Sequence, residues 1–302
     1  MRSKFCRFLA FQLVLFFTVT GGIAVAAPKV GVLLSSNETA YLEAFAGFKA
    51  TFDNGTVELV VLKLDKLTAD QVADCAFVFT VGSQASAKAL EALPGIPVIA
   101  AMVLRPQAMT SRTRLTGVYL EPPLRDQLAW YKAALPKLSR IGVLYHPSET
   151  GSLIPEAQKA ADALGLKLVA RPVGSAAEIA AVLQTLDGSI DLLWGISDSV
   201  VLNPTTARDI LGFSLSSGVP LAAPSSTWVK AGALCGWDWD YRDIGAQAAK
   251  QGQRLLSGTP LAGIPPEKPR RTLYSLNLRT ARMLGINFPK GLIDGASFIA
   301  GR

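Results

Sequence analysis

Gly195-Ile196-Ser197-Asp198-Ser199 is the stretch that comes nearest to a catalytic motif. It has the outline of a nucleophile elbow, G-x-S-x-G, in which a strained strand-to-helix turn presents a serine. The last glycine is missing, so the strained backbone lacks the residue that lets it pass. The only histidine, His146, precedes Ser197, whereas hydrolases with this elbow place theirs last. A Ser-His-Asp triad is therefore not expected. No Walker-type loop and no G-x-G-x-x-G cradle occurs. One histidine and no C-x-x-C give no basis for a zinc site, and no cluster of carboxylates suggests another metal. No catalytic set, cofactor or metal is expected.

Other polar residues recur in a pattern that suits binding. Ser35-Ser36-Asn37, Gly82-Ser83-Gln84, His146-Pro147-Ser148, Ser197-Asp198-Ser199 and Pro224-Ser225-Ser226 each follow an apolar run. These loops are short, small and rich in hydroxyls. Where such a loop opens a helix, free N–H groups and the positive dipole end favour an anionic ligand group. Each serine serves equally well as a plain helix cap. Asp198 can hold a ligand ammonium or cap a helix, and its type alone does not decide. His146 can line a cleft or sit on the surface.

The elements that must position these loops alternate between strand and helix. Lys29 to Leu34 is a continuous apolar run, the mark of a strand buried on both faces. Ser35 and Glu38 have capping-box spacing, and Tyr41, Phe45, Phe48 and Phe52 fall on one helix face. Strands follow at Val57 to Leu62, Ala76 to Val81 and Pro97 to Met102, with a helix from Gly82-Ser83 to Leu93. After Thr116-Gly117-Val118 the cycle restarts. Leu124, Leu128, Tyr131 and Leu135 form a helix face, Ile141 to Tyr145 a strand, and Leu153, Ala157, Ala160 and Leu164 the next helix face. Leu166 to Ala170, Ile190 to Ile196 and Pro220 to Ala223 read as strands. Between them lie a second capping box at Ser175 and Glu178 and a helix from Asn203-Pro204 to Gly218.

Gly31-Val32-Leu33 with Glu38-Thr39 matches Gly142-Val143-Leu144 with Glu149-Thr150 at a constant offset. Each match opens a strand, loop and helix unit. The expected fold class is therefore α/β, with two tandem Rossmann-like lobes of parallel strands flanked by helices. Ligands of such sheets bind beyond the carboxyl ends of the strands, where the hydroxyl-rich loops lie.

The ends and totals set the compartment. Arg2, Lys4 and Arg7, an apolar run from Phe8 to Val19 and the small residues Ala24-Val25-Ala26 are the order of a secretory signal peptide. The run is shorter than the ~20 residues of a comfortable membrane span. Cleavage is expected after about Ala26, leaving a free domain in the periplasm. Loss of Arg2, Lys4 and Arg7 with no acid takes the net charge from +7 to +4. That excess gives no case for nucleic acid, and the densest basic run, Lys268-Pro269-Arg270-Arg271, reads as a solvated loop. Cys75 and Cys235 survive cleavage, and an oxidising compartment permits a disulfide between them without requiring one.

Several stretches taken in order resemble the substrate-binding proteins of ABC transporters with the type I periplasmic fold. They are Thr116-Gly117-Val118, Leu135-Pro136, Arg140 through Tyr145, Val81-Gly82-Ser83, Asp198, Gly232-Ala233-Leu234, Gly245 through Ala249, Leu256-Ser257-Gly258, and Asn277 with Ala281 through Gly285. More narrowly they resemble the branch with tryptophan- and tyrosine-binding members. The resemblance implies two lobes, 27–118 with 237–263 and 119–236 with 264–302. It also implies three hinge crossovers, near Gly117 to Glu121, Gly236 to Asp240 and Ile264 to Leu273. A small solute would bind between the lobes, with hinge closure and transfer to an ABC permease in the inner membrane. The implied contacts are Ser35, Ser36, Asn37, Gly82, Ser83, Gln84, His146, Ser148, Ser197, Asp198 and Ser225. Among them Asp198 would meet a ligand amine, and Ser83 and Ser148 a carboxylate.

Two features depart from the family pattern. Arg105-Pro106 stands where the family often has an acid before proline, and Arg105 would favour an anionic group. Cys235-Gly236-Trp237-Asp238-Trp239 is heavily aromatic, and Trp237 or Trp239 can stack on a flat ligand or pack the hinge. An aromatic or other small amino acid is the first expectation for the ligand of a monomeric receptor. A ligand-sensing module for a signalling partner and, behind it, a secreted hydrolase are the alternatives.

Overall fold

Val30, Val32 and Leu33 are fully buried in the first strand, as their unbroken apolar run requires. The structure, a computed structural model, describes residues 27–52, 55–104, 114–121 and 123–302. The leader at 1–26 and Arg105 lie outside the described residues. The chain first lays down β1 (Lys29–Leu34), α1 (Thr39–Thr51), β2 (Glu58–Val61), β3 (Cys75–Val81), α2 (Ser83–Ala92), β4 (Val98–Leu104) and β5 (Leu115–Leu120). These strands form one parallel sheet in the order β2-β1-β3-β4-β5. Then come α3 (Leu124–Ala134), β6 (Arg140–Tyr145), α4 (Ile154–Ala163), β7 (Lys167–Pro172), α5 (Ile179–Gln184), β8 (Leu192–Trp194), α6 (Ala207–Ser216), β9 (Leu221–Ala223), α7 (Ser226–Ala231) and β10 (Cys235–Trp239). After α8 (Tyr241–Leu256) the chain closes with β11 (Thr272–Asn277), α9 (Leu278–Met283), α10 (Lys290–Asp294) and β12 (Phe298–Ala300).

The second sheet runs β7-β6-β8-β9-β10-β11-β12, so its first five strands repeat the order of the first sheet. β1 and β6 hold equivalent places, which is the physical form of the offset match between Gly31-Val32-Leu33 and Gly142-Val143-Leu144. The second sheet departs from an all-parallel pattern at one place, where β11 runs antiparallel to β10. The cause is the route of the chain: β10 leads out toward the first lobe and β11 leads back.

Local details differ from expectation. Ser35 does not cap α1; its hydroxyl accepts from the Ala85 N–H at 2.8 Å, across to α2. Asn203-Pro204 closes a turn, with the Asn203 Oδ1 accepting from Thr205 and Thr206, and α6 starts only at Ala207. The expected strand from Ile190 to Ile196 shortens to β8. The lobe limits move as well, because β5 stays in the first sheet through Leu120 and β10 stays in the second through Trp239. Cys75 and Cys235 are free thiols on different sheets.

α8 follows β10 in sequence but packs on the first lobe, its Ile244, Ala248 and Ala249 sharing one core with Val30, Ala44, Phe48 and Phe77. Glycines permit the close approach of α1 and α8. A Cβ at Gly245 would lie 1.8 Å from the Ala44 carbonyl oxygen, and one at Gly47 would lie 1.8 Å from that of Arg242.

The returning segment before β11 is sewn to the first lobe. The Glu267 N–H donates to Gly117 O at 2.9 Å and the Tyr119 N–H donates to Glu267 O at 3.0 Å. Buried Gln251 donates to Pro265 O at 3.2 Å, and buried Gln247 to Glu267 Oε2 at 2.8 Å. The basic run Lys268-Pro269-Arg270-Arg271 is not simply a solvated loop. Lys268 pairs with Glu121 at 2.9 Å, Arg270 with Asp243 at 2.6 Å and Arg271 with Asp240 at 3.6 Å. The Arg270 bonds hold the Asp243 carboxyl below its usual value. Each basic side chain thus reaches an acid on or beside another crossing.

At the far end of the second sheet, Asp191 ties the start of β6 to the start of β8. Its carboxylate accepts from Ser139 Oγ at 2.8 Å, Arg140 N at 2.8 Å and Arg140 Nη2 at 2.7 Å. Burial alone would raise its pKa, but the bonds from Arg140 and Ser139 outweigh burial and bring it to about 2.

Two outcomes are expected. Gly245→Ala must push α8 off α1 and should cost about 2 kcal/mol in urea unfolding, as overpacking does. Asp191 has a depressed folded pKa, so its contribution is complete above the unfolded value of ~3.9 and fades as pH falls toward about 2. Asp191→Asn should therefore lower the melting temperature at neutral pH, and the gap to the parent should close by about pH 2.

Candidate ligand-binding site

The carboxyl ends of the second sheet open toward the first lobe, and a pocket lies between them. Its empty space is about 790 Å³, part of it open to solvent. Leu104 and Leu120 form the wall from the first lobe, at the ends of β4 and β5. A bulge between Ala101 and Val103, with Met102 at φ 60°, precedes Leu104, whose side chain stays half exposed at the pocket. The opposite wall comes from Gln127 and Tyr131 on α3, Ile196 and Ser197 after β8, and Pro224 after β9. Trp237, Asp238 and Trp239 of β10 close the pocket on the side of the crossings.

The aromatic side chains are held in place. Trp130 meets Trp237 edge-on with ring centres 5.9 Å apart, lies 4.9 Å from Tyr274 and contacts Tyr131 at 5.7 Å. Trp237 therefore packs the hinge with one part of its ring and lines the pocket with another. Tyr131 is fully buried, and burial, with Cys235 beside it, raises its pKa well above the usual value. It stays neutral. Its hydroxyl meets the Trp194 side chain, a hydrogen bond that works against that rise without cancelling it, and the Trp237 Nε1 has no hydrogen-bond partner among the described residues.

Among the described residues, Asp238 is the only charged one that lines this pocket. Its Oδ1 accepts from the Trp239 N–H at 3.0 Å, while Oδ2 is only 3.4 Å from Ser226 N and 3.5 Å from Ser226 Oγ. Burial first, then the Asp238 charge, push the neighbouring Tyr241 phenol far up. Beyond Trp237, Trp239 and Thr272 the pocket continues into an outer region with Glu121, Arg125, Glu156, Lys268 and Arg270.

Asp198 does something other than expected. It is 2 % exposed. Its Oδ2 accepts from the His146 N–H at 2.8 Å and from the Thr150 hydroxyl, and its Oδ1 from the N–H groups of Val200 at 3.0 Å and Val201 at 3.1 Å. A carboxylate has about four acceptor positions, and all of them are taken. Asp198 staples the loop after β6 to the loop after β8 and has no lone pair left for an amine. Glu149 repeats the device beside it, accepting from Ser199 N at 2.8 Å and Ser199 Oγ at 2.6 Å.

Of the other residues expected from sequence, Ser197 and Trp237 line the pocket. Ser197 is exposed, and its hydroxyl makes no hydrogen bond among the described residues. His146 is half buried behind Asp198, with Nδ1 unpartnered among the described residues. Ser35, Ser36 and Gly82 shape the loop edge of the first lobe, where Asn37, Ser83 and Gln84 are exposed; Ser148 and Ser225 edge the second. None of these eight is in the wall of the pocket. Arg105 lies outside the described residues. Sequence reasoning missed Asp238 and Tyr131. Asp238 stood between two tryptophans that drew the attention, and Tyr131 fell on a helix face otherwise made of leucines. A phenol at such a core position carries a hydroxyl that must be satisfied, and that was the available signal.

A family model described as ABC transporter substrate binding protein matches residues 54–298. The chain belongs to that family. A tyrosine-binding protein of Clostridioides difficile (strain R20291) is 24% identical over 217 residues, which is 68% of this chain and 61% of the relative. The match thus spans less than two thirds of that relative's length. Among solved structures, the ligand-free, open form of a substrate-binding protein with adhesive properties from Clostridium difficile has a TM-score of 0.79 at 20% identity, over 91% of this chain and 100% of that one. An ABC domain in complex with L-Trp from Streptococcus pneumonia has a TM-score of 0.68 at 21% identity, over 90% and 99%. At these identities the structural likeness establishes the shared fold, two lobes of the type I periplasmic class.

Removal of the staple should show up in folding. Asp198→Ala leaves several donors stranded in the interior, so a loss of about 3 kcal/mol is expected in urea unfolding. An unchanged unfolding midpoint would refute the staple.

Proposed function

We propose that this chain is an exported receptor that captures an amino acid with an aromatic side chain between its lobes and hands it to an ABC permease. The observation that carries the reading is the pocket itself: among the described residues its lining has apolar and aromatic walls, a single carboxylate and no cation. An amino acid offers a flat apolar part to Trp237, Trp239 and Tyr131. Its ammonium finds Asp238, whose Oδ2 has only long contacts with Ser226 and whose carboxylate otherwise meets the Tyr241 phenol. Its carboxylate would take neutral donors, of which Ser197 is free. Charge-assisted hydrogen bonds to such a carboxylate are stronger than neutral ones. The relative named a tyrosine-binding protein and the fold neighbour containing L-Trp point to the same ligand class.

The remaining expected contacts take a second role. Asn37, Ser83 and Gln84 at the rim of the first lobe, with Ser148 on the second, would meet the ligand as the hinge closes. The loops around Ser35, Ser36, Gly82, His146, Asp198 and Ser225 support them from behind. The leader-like residues 1–26 support export to the periplasm, and no helix among the described residues is long and apolar enough to cross a membrane. Binding without turnover is the reading, in keeping with a family of substrate-binding proteins.

A thermal-shift series over the common amino acids tests it. A ligand at 100 times its Kd adds about 2.7 kcal/mol of stability, so aromatic amino acids should raise the melting temperature by several degrees. Asp238→Asn should abolish most of that rise. If no amino acid shifts the transition, the assignment is wrong.

A further inference from the structure

Ion pairs among the described residues tie down cations of the crossings, of β6 and of the first lobe. One corner of the second lobe has none. Lys230, Arg279, Arg282 and Arg302 are all exposed, and among the described residues no acid pairs with them. The fold gathers these four. α9 starts after Asn277, whose N–H donates to Leu234 O at 2.9 Å just before β10. It therefore lies at the end of the second sheet opposite the pocket. The Thr280 hydroxyl of α9 donates to Gly232 O at 2.9 Å, just past Lys230 at the end of α7. Lys230 Nζ lies 5.0 Å from the centre of the Phe298 ring in β12, and Arg282 Nη2 donates to Gly301 O at 2.8 Å. A Cβ at Gly301 would lie 2.6 Å from that of Arg279, so Arg302 follows directly beside α9.

The fold does not ask for this much charge. Lys230 and Arg282 stand in the last turns of α7 and α9, where a cation suits the helix dipole. Arg279 stands in the first turn of α9, where it does not. Like charges gathered without acids repel one another and work against the compact state. Asp162, Asp187 and Asp191 are acids at the same end of the sheet, but they lie toward β7, β6 and β8, and Arg140 already holds Asp191. Beside Arg282, Met283 is 65% exposed, more than any other large apolar side chain described. We infer that this corner docks the protein on an anionic phospholipid bilayer, with the four cations at the headgroup phosphates and Met283 at the interface. Basic clusters bind such surfaces through attraction that needs no matching shape, and each cation adds roughly fivefold to the partition. The core of a protein interface is depleted of charge, whereas this corner is built of cations. The pocket opens at the opposite end of the sheet, so a docked molecule can still load its ligand, whatever that ligand is.

Vesicle flotation of the chain from residue 27 onward tests the inference. The protein should float with vesicles of phosphatidylglycerol mixed with phosphatidylcholine, stay behind with pure phosphatidylcholine, and come off at high salt. Arg279 makes no side-chain bond among the described residues, so its variants should fold as the parent does. Arg279→Gln should lower the partition roughly fivefold and Arg279→Glu more than tenfold. Lys63→Glu on the first lobe changes the net charge as much as Arg279→Glu and should keep the partition within about twofold of the parent. An equal drop in Lys63→Glu and Arg279→Glu overturns the inference, because net charge and not this corner would then set the attraction. Equal binding to pure phosphatidylcholine overturns it too. So does full release by millimolar glycerol phosphate, which would make the corner a site for a single small anion. Failure to float with the mixed vesicles also overturns it and leaves the corner to an acidic protein.

Discussion

The Gly117 carbonyl accepts from the Glu267 N–H, and the Glu267 carbonyl accepts from the Tyr119 N–H. Through this pair the segment that returns to β11 becomes a strand-like addition to the edge of β5, and the two sheets are locked to one another. Everything at the waist builds on it. Gln247 and Gln251 of α8 reach the same segment, and the Lys268, Arg270 and Arg271 side chains tie it to acids beside the other crossings. Hinges are a few residues at element ends that absorb a change in backbone angle. Here those residues are held in register by main-chain bonds, with ion pairs around them that water can compete for.

The pocket inherits its geometry from that waist. Trp237, Asp238 and Trp239 are the last residues of β10, so these pocket-lining residues sit on the strand that leads into the crossings. Trp130 and Tyr274 hold the Trp237 ring in place. The site therefore combines a stiff aromatic floor with walls drawn from both sheets.

Much of the scaffold was legible in the sequence because the signals were local and repeated. The apolar run of β1 and the aromatic stripe from Tyr41 to Phe52 follow from one period each, and the match of Gly31-Val32-Leu33 with Gly142-Val143-Leu144 marked equivalent strands. What depends on distant partners was not legible. Ser35 has the spacing to cap its own helix, yet it bonds to Ala85. Asp198 is a carboxylate at a strand end, as a ligand contact should be, but its donors come from His146 and Thr150 across the loop cluster. The basic run at Lys268 reads as solvent-facing because its acids lie far away in sequence. Tyr131 looks like core because its helical period is that of core.

α8 carries one more consequence, for the order in which the protein takes shape. The strands of the first sheet are all present once Leu120 has been made, but Phe48 and the glycine face of α1 wait for α8. That helix follows the whole parallel part of the second sheet. Contacts of such long sequence separation form late and slowly. The first half of the molecule therefore stays unfinished until Leu256 is free to dock.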